Sequence, residues 1–549
     1  MIRPAFEITL SCLFLAGAAQ YASLRAQDVQ LAVPTHLHYN AVEPLLSDGD
    51  GTAGMSTYKN PPSPICATAT SSAPNVNTDC EGNAPHNETS IAVNPTNPLN
   101  LLASANDYQL RLSSGGQTAE TVFSRAHVTT DGGKTWTTYP IYFRNYAFTG
   151  DPAAAFDANG TAYLSTLGFV ASQGLGCCTN PDVVVATSGD GGKTWSAPVR
   201  VAAGSGSFRS SGVFNDKPYL TAWGHGNAIV TWTQFLQGAH GSYQGSPIYT
   251  SVTHDGGKTW STPAQISGSA SFCIGVTSDT SCNQSQGSTP VVAADGSIYV
   301  SFLSTGNLTT GRDQYLVVKV DPSTGQRVAG PYKVSDVFDG FTDYPINVDG
   351  RQTYQDSQFR TWALGNIAAD PTNAAHLAVV WSDMRNSVLP APADPYQAVT
   401  NSDVVASQSF DGGQTWSAPQ AIAAAGDQFM PWSAYDGGGR LRIGYFDRSY
   451  DPANHQYGYT LATESAPGSL TFAGSQVTSG LSDPTANNRW FSAGTVNASF
   501  PNPTTFVGDY SGIAVAPGSA LALWTDLRGS ACYTARCGAA QDAEFATAP

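Results

Sequence analysis

Apolar positions along this 549-residue chain come in short alternating runs, each cut off by Gly, Asp or Asn, and no segment sustains a helical period. The runs pair across tight turns: 90–93 with 100–107, 153–157 with 161–168, 218–223 with 227–234, and 290–295 with 297–304. Three more pairs follow, 366–370 with 376–385, 432–436 with 440–448, and 511–517 with 520–528. Turn residues such as Asp157-Ala-Asn-Gly160, Asp295-Gly296 and Asp436-Gly-Gly-Gly439 mark hairpins. The pairs predict seven copies of one antiparallel unit.

A second repeat interleaves with the first. Thr129-Thr-Asp131-Gly-Gly133-Lys-Thr135-Trp136 returns nearly unchanged with its aspartate at Asp190, Asp255 and Asp411, and Asp321-Pro-Ser-Thr-Gly325 stands where a decayed copy belongs. Two further strands per unit, joined by this turn, give four-stranded antiparallel blades. A ring of such blades hides most strand edges. The fold class predicted is therefore an all-β propeller, with seven blades favoured over six. The third strand of the last blade is expected at 542–548, and a strand near 29–33 is expected to close the ring as its fourth. Residues 85–549 form the propeller. Residues 27–84 hold the closing strand and an irregular Pro/Ser/Thr-rich connection.

The first 26 residues have another purpose. Arg3, an apolar run over 8–19 and the small residues around Ala26 have the layout of a secretory signal peptide, too short to span a membrane. Secretion makes disulfides the default for the eight cysteines that remain after Cys12 is removed, with Cys66/Cys80, Cys273/Cys282 and Cys532/Cys537 close enough to clip small loops. Charged residues make up only 12% of the chain, against about 25% in an average domain, and the net charge is −16. Such a surface seeks neither nucleic acid nor an anionic membrane. The expectation is a secreted monomer, extracellular or periplasmic, with a carbohydrate or glycoconjugate partner and no membrane insertion.

The repeated S/T-x-D-G-G-x-T-W turn resembles the Asp box of the sialidase (neuraminidase) superfamily. Its aspartates are structural: they accept backbone N–H groups while the glycines take positive φ. The Gly-Lys-Thr triplets are not phosphate loops, because Val128, Thr187 and Val252 stand where the first glycine would be needed. The resemblance, which covers most of 88–528, implies three arginines gripping a sugar carboxylate, an aspartate acid/base, and a tyrosine nucleophile activated by a glutamate. Chain direction puts the strand starts and ends on the face opposite the boxes. Strand starts there read His86-Asn87-Glu88, Gly150-Asp151, Asn215-Asp216 and Gly508-Asp509-Tyr510, and three strand ends carry Asp383-Met-Arg385, Asp447-Arg448 and Asp526-Leu-Arg528.

On that face Arg385, Arg448 and Arg528 are candidates for the carboxylate grip, with Asp383 and Asp509 as further substrate contacts. Asp151 or Asp216 would be the acid/base, and Tyr510 with Glu88 the nucleophile pair. The alternative for each Asp-Arg pair is a salt bridge tying neighbouring blades. The family's Arg-Ile-Pro-type motif is not found. Trp362, Trp432 and Trp490 could stack on sugar rings. Ser47-Asp48-Gly-Asp50-Gly51 lacks the later ligands of a calcium loop, and His36 with His38 lacks a third zinc ligand, so no metal or cofactor is expected. The function expected is a sialidase-like glycoside hydrolase acting on an acidic sugar. A non-catalytic glycan-binding or adhesion propeller, or a polysaccharide lyase on the same scaffold, are the alternatives.

Overall fold

The computed structural model describes residues 75–79, 86–112, 118–143, 145–170, 179–207, 210–306, 312–339, 346–348, 351–357, 359–387, 399–422, 425–484, 507–533, 536–539 and 541–548. Almost every described element is a strand. The strands form seven antiparallel blades arranged as a seven-blade propeller. Blade 1 runs outward from the axis as His86–Val93, Leu101–Leu112, Ala126–Thr129 and Thr137–Tyr139. Blade 2 is Phe148–Phe156, Ala162–Phe169, Asp182–Ser188 and Val199–Ala202, and blade 3 is Gly212–Trp223, Asn227–Gln237, Ile248–Thr253 and Ala264–Gln265. Blades 4, 5 and 6 start at Ser285–Val292, Gly365–Ala369 and Gln428–Tyr435.

Blade 7 closes the ring. Gly512–Ala516, Ser519–Asp526 and Asp542–Ala548 supply three strands, and Val76–Asn77 supplies the outermost, with Val76 opposite Phe545. The N-terminal side of the chain thus provides the fourth strand, but from 76–77 rather than 29–33. The 29–33 segment, the signal region and the Cys66/Cys80 pair lie outside the described residues. Thr78 N–H and hydroxyl both donate to the Ala543 carbonyl (2.9 and 3.0 Å), so the closing strand is held beyond its two ladder residues.

Blades pack face on face, so their middle strands are apolar on both sides. Val183, Val184 and Val185 are all buried: Val184 faces Leu102 and Val128 of blade 1, while Val183 and Val185 face Leu220 and Val230 of blade 3. That double burial is why these strands read as apolar runs rather than strict alternation.

The four repeated turns are nearly superimposable in their bonding. Asp131 Oδ1 accepts the N–H groups of Lys134 and Thr135 (3.0 Å each), Oδ2 accepts the Thr135 hydroxyl (2.6 Å), and the Trp136 indole donates to the Gly133 carbonyl. Asp190, Asp255 and Asp411 accept the same three bonds, and the Trp195 and Trp416 indoles repeat the donation to glycine, whereas the Trp260 indole has no partner. A Cβ on Gly133, at φ 92°, would run into the Phe545 ring of blade 7. Asp321 accepts Ser323 and Thr324 N–H groups between the third and fourth strands of blade 4, in the same place.

The innermost strands of blades 1, 2, 3, 4 and 6 start earlier than their apolar runs suggest, because a bulge interrupts each. Register shifts fall between Asn87 and Ser90, Gly150 and Ala153, Asp216 and Tyr219, Gln286 and Thr289, and Phe429 and Trp432. A left-handed residue sits inside each bulge: Glu88 (φ 55°), Asp151 (57°), Lys217 (46°), Gly287 (64°) and Met430 (48°). Bulges re-aim side chains, and here the re-aimed positions recur around the axis, on the face opposite the four turns.

Candidate functional site at the axis

Three of the five bulge residues are ionisable, and their side chains meet. Lys217 Nζ of blade 3 lies 3.2 Å from Glu88 Oε1 of blade 1 and 2.9 Å from Asp509 Oδ2, just ahead of blade 7. The Asp151 carboxyl interacts electrostatically with that of Glu88, and its Oδ2 is buried without a hydrogen-bond partner. Asn106, at the end of the second strand of blade 1, positions both: its amide donates to Glu88 Oε2 (2.9 Å), and its oxygen accepts the Asp151 N–H (2.8 Å). Arg360, from the connection between blades 4 and 5, forks onto Asp509 at 3.0 and 2.6 Å. All of these groups are buried.

Aromatic rings floor and wall the cluster. Lys217 Nζ stands 4.6 Å from the centroid of the Tyr510 ring and 5.6 Å from that of Trp362. Two residues beyond their bulges, Tyr219 and Trp432 meet across the axis with ring centroids 5.0 Å apart, and Trp432 continues to Tyr510 at 5.8 Å.

Burial and charge set the protonation states. Burial pushes Asp151 up to about 6, and the Asp216 and Asp509 carboxylates add to the rise against the pull of Lys217. Asp216 is likewise pushed up to about 6 by burial, with Glu88 and Asp509 reinforcing it. Burial raises Glu88 well above the usual carboxylate range, with Asp151 and Asp509 adding to the rise against the pull of Lys217. Asp509 goes the other way: burial is outweighed by Arg360 and Lys217, which hold it ionised. Tyr510 is raised well above its ordinary value by burial and then by Glu88 and Asp151. A proton-holding carboxyl beside carboxylates that titrate near neutrality is the equipment of general acid–base chemistry.

Asp151, Asp216, Glu88, Tyr510 and Asp509 therefore lie in one cluster. The arginines do not join it. Arg385 forks onto Asp383 (2.9 and 2.8 Å) and donates to the Asp336 carbonyl of blade 4, while Asp383 also accepts the Trp381 indole. Arg528 does the same on Asp526, with Trp524 in the place of Trp381 and Asn75 and Ser479 as outer partners. Arg448 is wholly buried, paired with Asp427 at 3.3 Å and ringed by Tyr354, Phe359 and Phe429. The expected shared grip is not formed: Arg385 and Arg528 are consumed where their strands end, and Arg448 is sealed in the interior with its Nε and Nη2 unpartnered. Trp-x-Asp-x-Arg is a clamp between blades, and Asp383 belongs to that clamp.

Lys217 and Arg360 are not among the residues that the sequence pattern singles out. Lys217 had a signal, since Asp151-Pro, Lys217-Pro and Met430-Pro repeat one position ahead of the apolar runs. Arg360 sits in a connection without repeat character and had none. The disulfide Cys273–Cys282 is formed, and Cys532 stands directly opposite Cys537 in a hairpin. Among the described residues no helix is long and apolar enough to cross a membrane.

No family model matches the chain, and no curated protein matches it. Among solved structures, a protein of unknown function from Dyadobacter fermentans is similar over 86% of this chain and 97% of its own, at 11% identity and a TM-score of 0.44. An ulvan lyase, from a new polysaccharide lyase family, is similar over 70% and 80%, at 12% identity and 0.41. The NanB sialidase from Streptococcus pneumoniae is similar over 85% and 94%, at 7% identity and 0.39.

Proposed function

We propose that this chain is a secreted glycoside hydrolase whose acid–base groups sit at the propeller axis. One observation carries the reading: Glu88, Asp151 and Lys217 hold the left-handed conformation at equivalent bulges and point into one cluster. Such conformations cost on the order of 1–3 kcal/mol each and gather at working sites. In this reading the four repeated turns are Asp boxes that only hold the scaffold.

Glu88 gives its proton to the leaving oxygen, and Asp151 or Asp216 receives one from water or stabilises the sugar cation. Lys217 keeps the carboxyls in place and Asp509 ionised. Tyr510 lines the site; a phenol raised further by neighbouring carboxylates is poorly suited to attack as phenolate. With the arginines spent elsewhere and four carboxyls against two cations, the site favours a neutral sugar over an acidic one.

Binding without turnover is the second reading, favoured by how fully Lys217 and Arg360 are already satisfied by Asp509. Fluorogenic glycosides of neutral pentoses and hexoses, uronides and sialosides distinguish the two. The expected result is turnover of a neutral glycoside. Glycan binding with no turnover across the panel would favour the second reading.

A further inference from the structure

A separate cluster lies where the ring closes. Asp79 follows the closing strand, His86 opens the innermost strand of blade 1, and His127 lies on the third strand of that blade. One ligand atom from each lies within 4.8 Å of the other two, and all three residues are buried. His127 Nδ1 is tied to the Thr138 hydroxyl at 2.9 Å, which fixes the ring and leaves Nε2 inside the protein with no hydrogen-bond partner. His86 Nδ1 is likewise buried without one. Around them stand Asp107, whose Oδ1 is 3.6 Å from His86 Nε2, and Arg125, which pairs with both Asp79 and Asp107.

We propose that Asp79, His86 and His127 bind one Zn²⁺ ion that locks the closing segment to blade 1. Two imidazole nitrogens and a carboxylate oxygen are a donor set suited to zinc. Arg125 pairs with both carboxylates, and zinc would displace the proton that Asp79 and Asp107 favour on His86. The Thr138 hydroxyl behind His127 is the outer partner that a metal-binding imidazole characteristically has. Since Asp79 arrives from beyond blade 7, the site exists only in the closed ring, and zinc bound there opposes opening. None of its residues belongs to the axial site, so the two stand or fall apart.

The test uses the full chain without a histidine tag, stripped with chelator and then exposed to zinc chloride alone. Wild type is expected to retain one Zn²⁺ per chain after gel filtration, and its thermal midpoint to fall on chelation. His127→Gln is expected to retain none and to show no chelator effect. Wild type that retains no zinc, or His127→Gln that retains as much, overturns the proposal. If His127→Gln does not fold, Thr138→Val decides: zinc affinity should weaken about 10–100-fold, and unchanged affinity counts against the site.

Discussion

Lys217 Nζ of blade 3 stands 2.9 Å from Asp509 Oδ2 beside blade 7, joining parts of the ring that share no sheet. Arg360 holds the same carboxylate from the blade 4–5 connection. Removing Lys217 leaves Asp509 with one cation and Glu88 with none. Lys217→Met is expected to cost about 3–5 kcal/mol, as for other broken buried pairs. Urea unfolding measures it, and the double variant with Glu88→Gln should lose less than the sum of the two single changes.

Asp151 and Asp216 take up protons on folding, because each rises from 3.8 to about 6. Their contribution is therefore most favourable below pH 4, is lost as pH rises toward about 6, and is level above that. Asp151→Asn with Asp216→Asn should flatten this part of the stability curve. Thermal midpoints across pH 4 to 7 read the difference directly, and an unchanged slope would contradict the assignment.

Arg385, Arg448 and Arg528 should behave as scaffold. Arg448→Ala takes the arginine from buried Asp427, which keeps its bonds from Thr400, Ser402 and Asn454, and is expected to cost about 3–5 kcal/mol. Arg385→Ala leaves Asp383 bonded to the Trp381 indole and the Arg385 N–H, so about 1–3 kcal/mol is expected. Asp255→Ala frees an exposed turn and should cost less than either. None of the three changes should alter KM in the fraction that folds.

Cys273–Cys282 closes a short loop beside blade 4. Replacing both with serine should lower stability by roughly 2–3 kcal/mol, the scale for a small loop. Mass mapping without reductant should find this bridge intact.

The sequence carried the repeat and its count because blade packing imposes the same pattern seven times, and 542–548 emerges as the third strand of blade 7. What it obscured traces to the bulges. A bulge breaks the period of two, so Glu88, Asp151 and Asp216 read as loop residues just ahead of strands when they lie inside them. The apolar run at 29–33 draws the expectation of a closing strand to that segment. Val76–Asn77 has only two ladder residues and leaves no periodic mark. The Asp-Arg pairs were visible, but their meaning was not. A guanidinium beside an aspartate reads alike in a binding site and a clamp, and the Trp381 and Trp524 indoles two residues upstream decide the matter in three dimensions.

The most direct measurement for the axial site is the pH dependence of kcat/KM on the best glycoside, for wild type and Asp151→Asn. Wild type should gain activity through an apparent pKa near 6, where Asp151 and Asp216 ionise. Asp151→Asn should lose on the order of 10²–10⁴-fold and shift or abolish that limb while its thermal midpoint stays close to that of wild type. A folded Asp151→Asn protein with the rate and pH profile of wild type would contradict acid–base catalysis by this cluster.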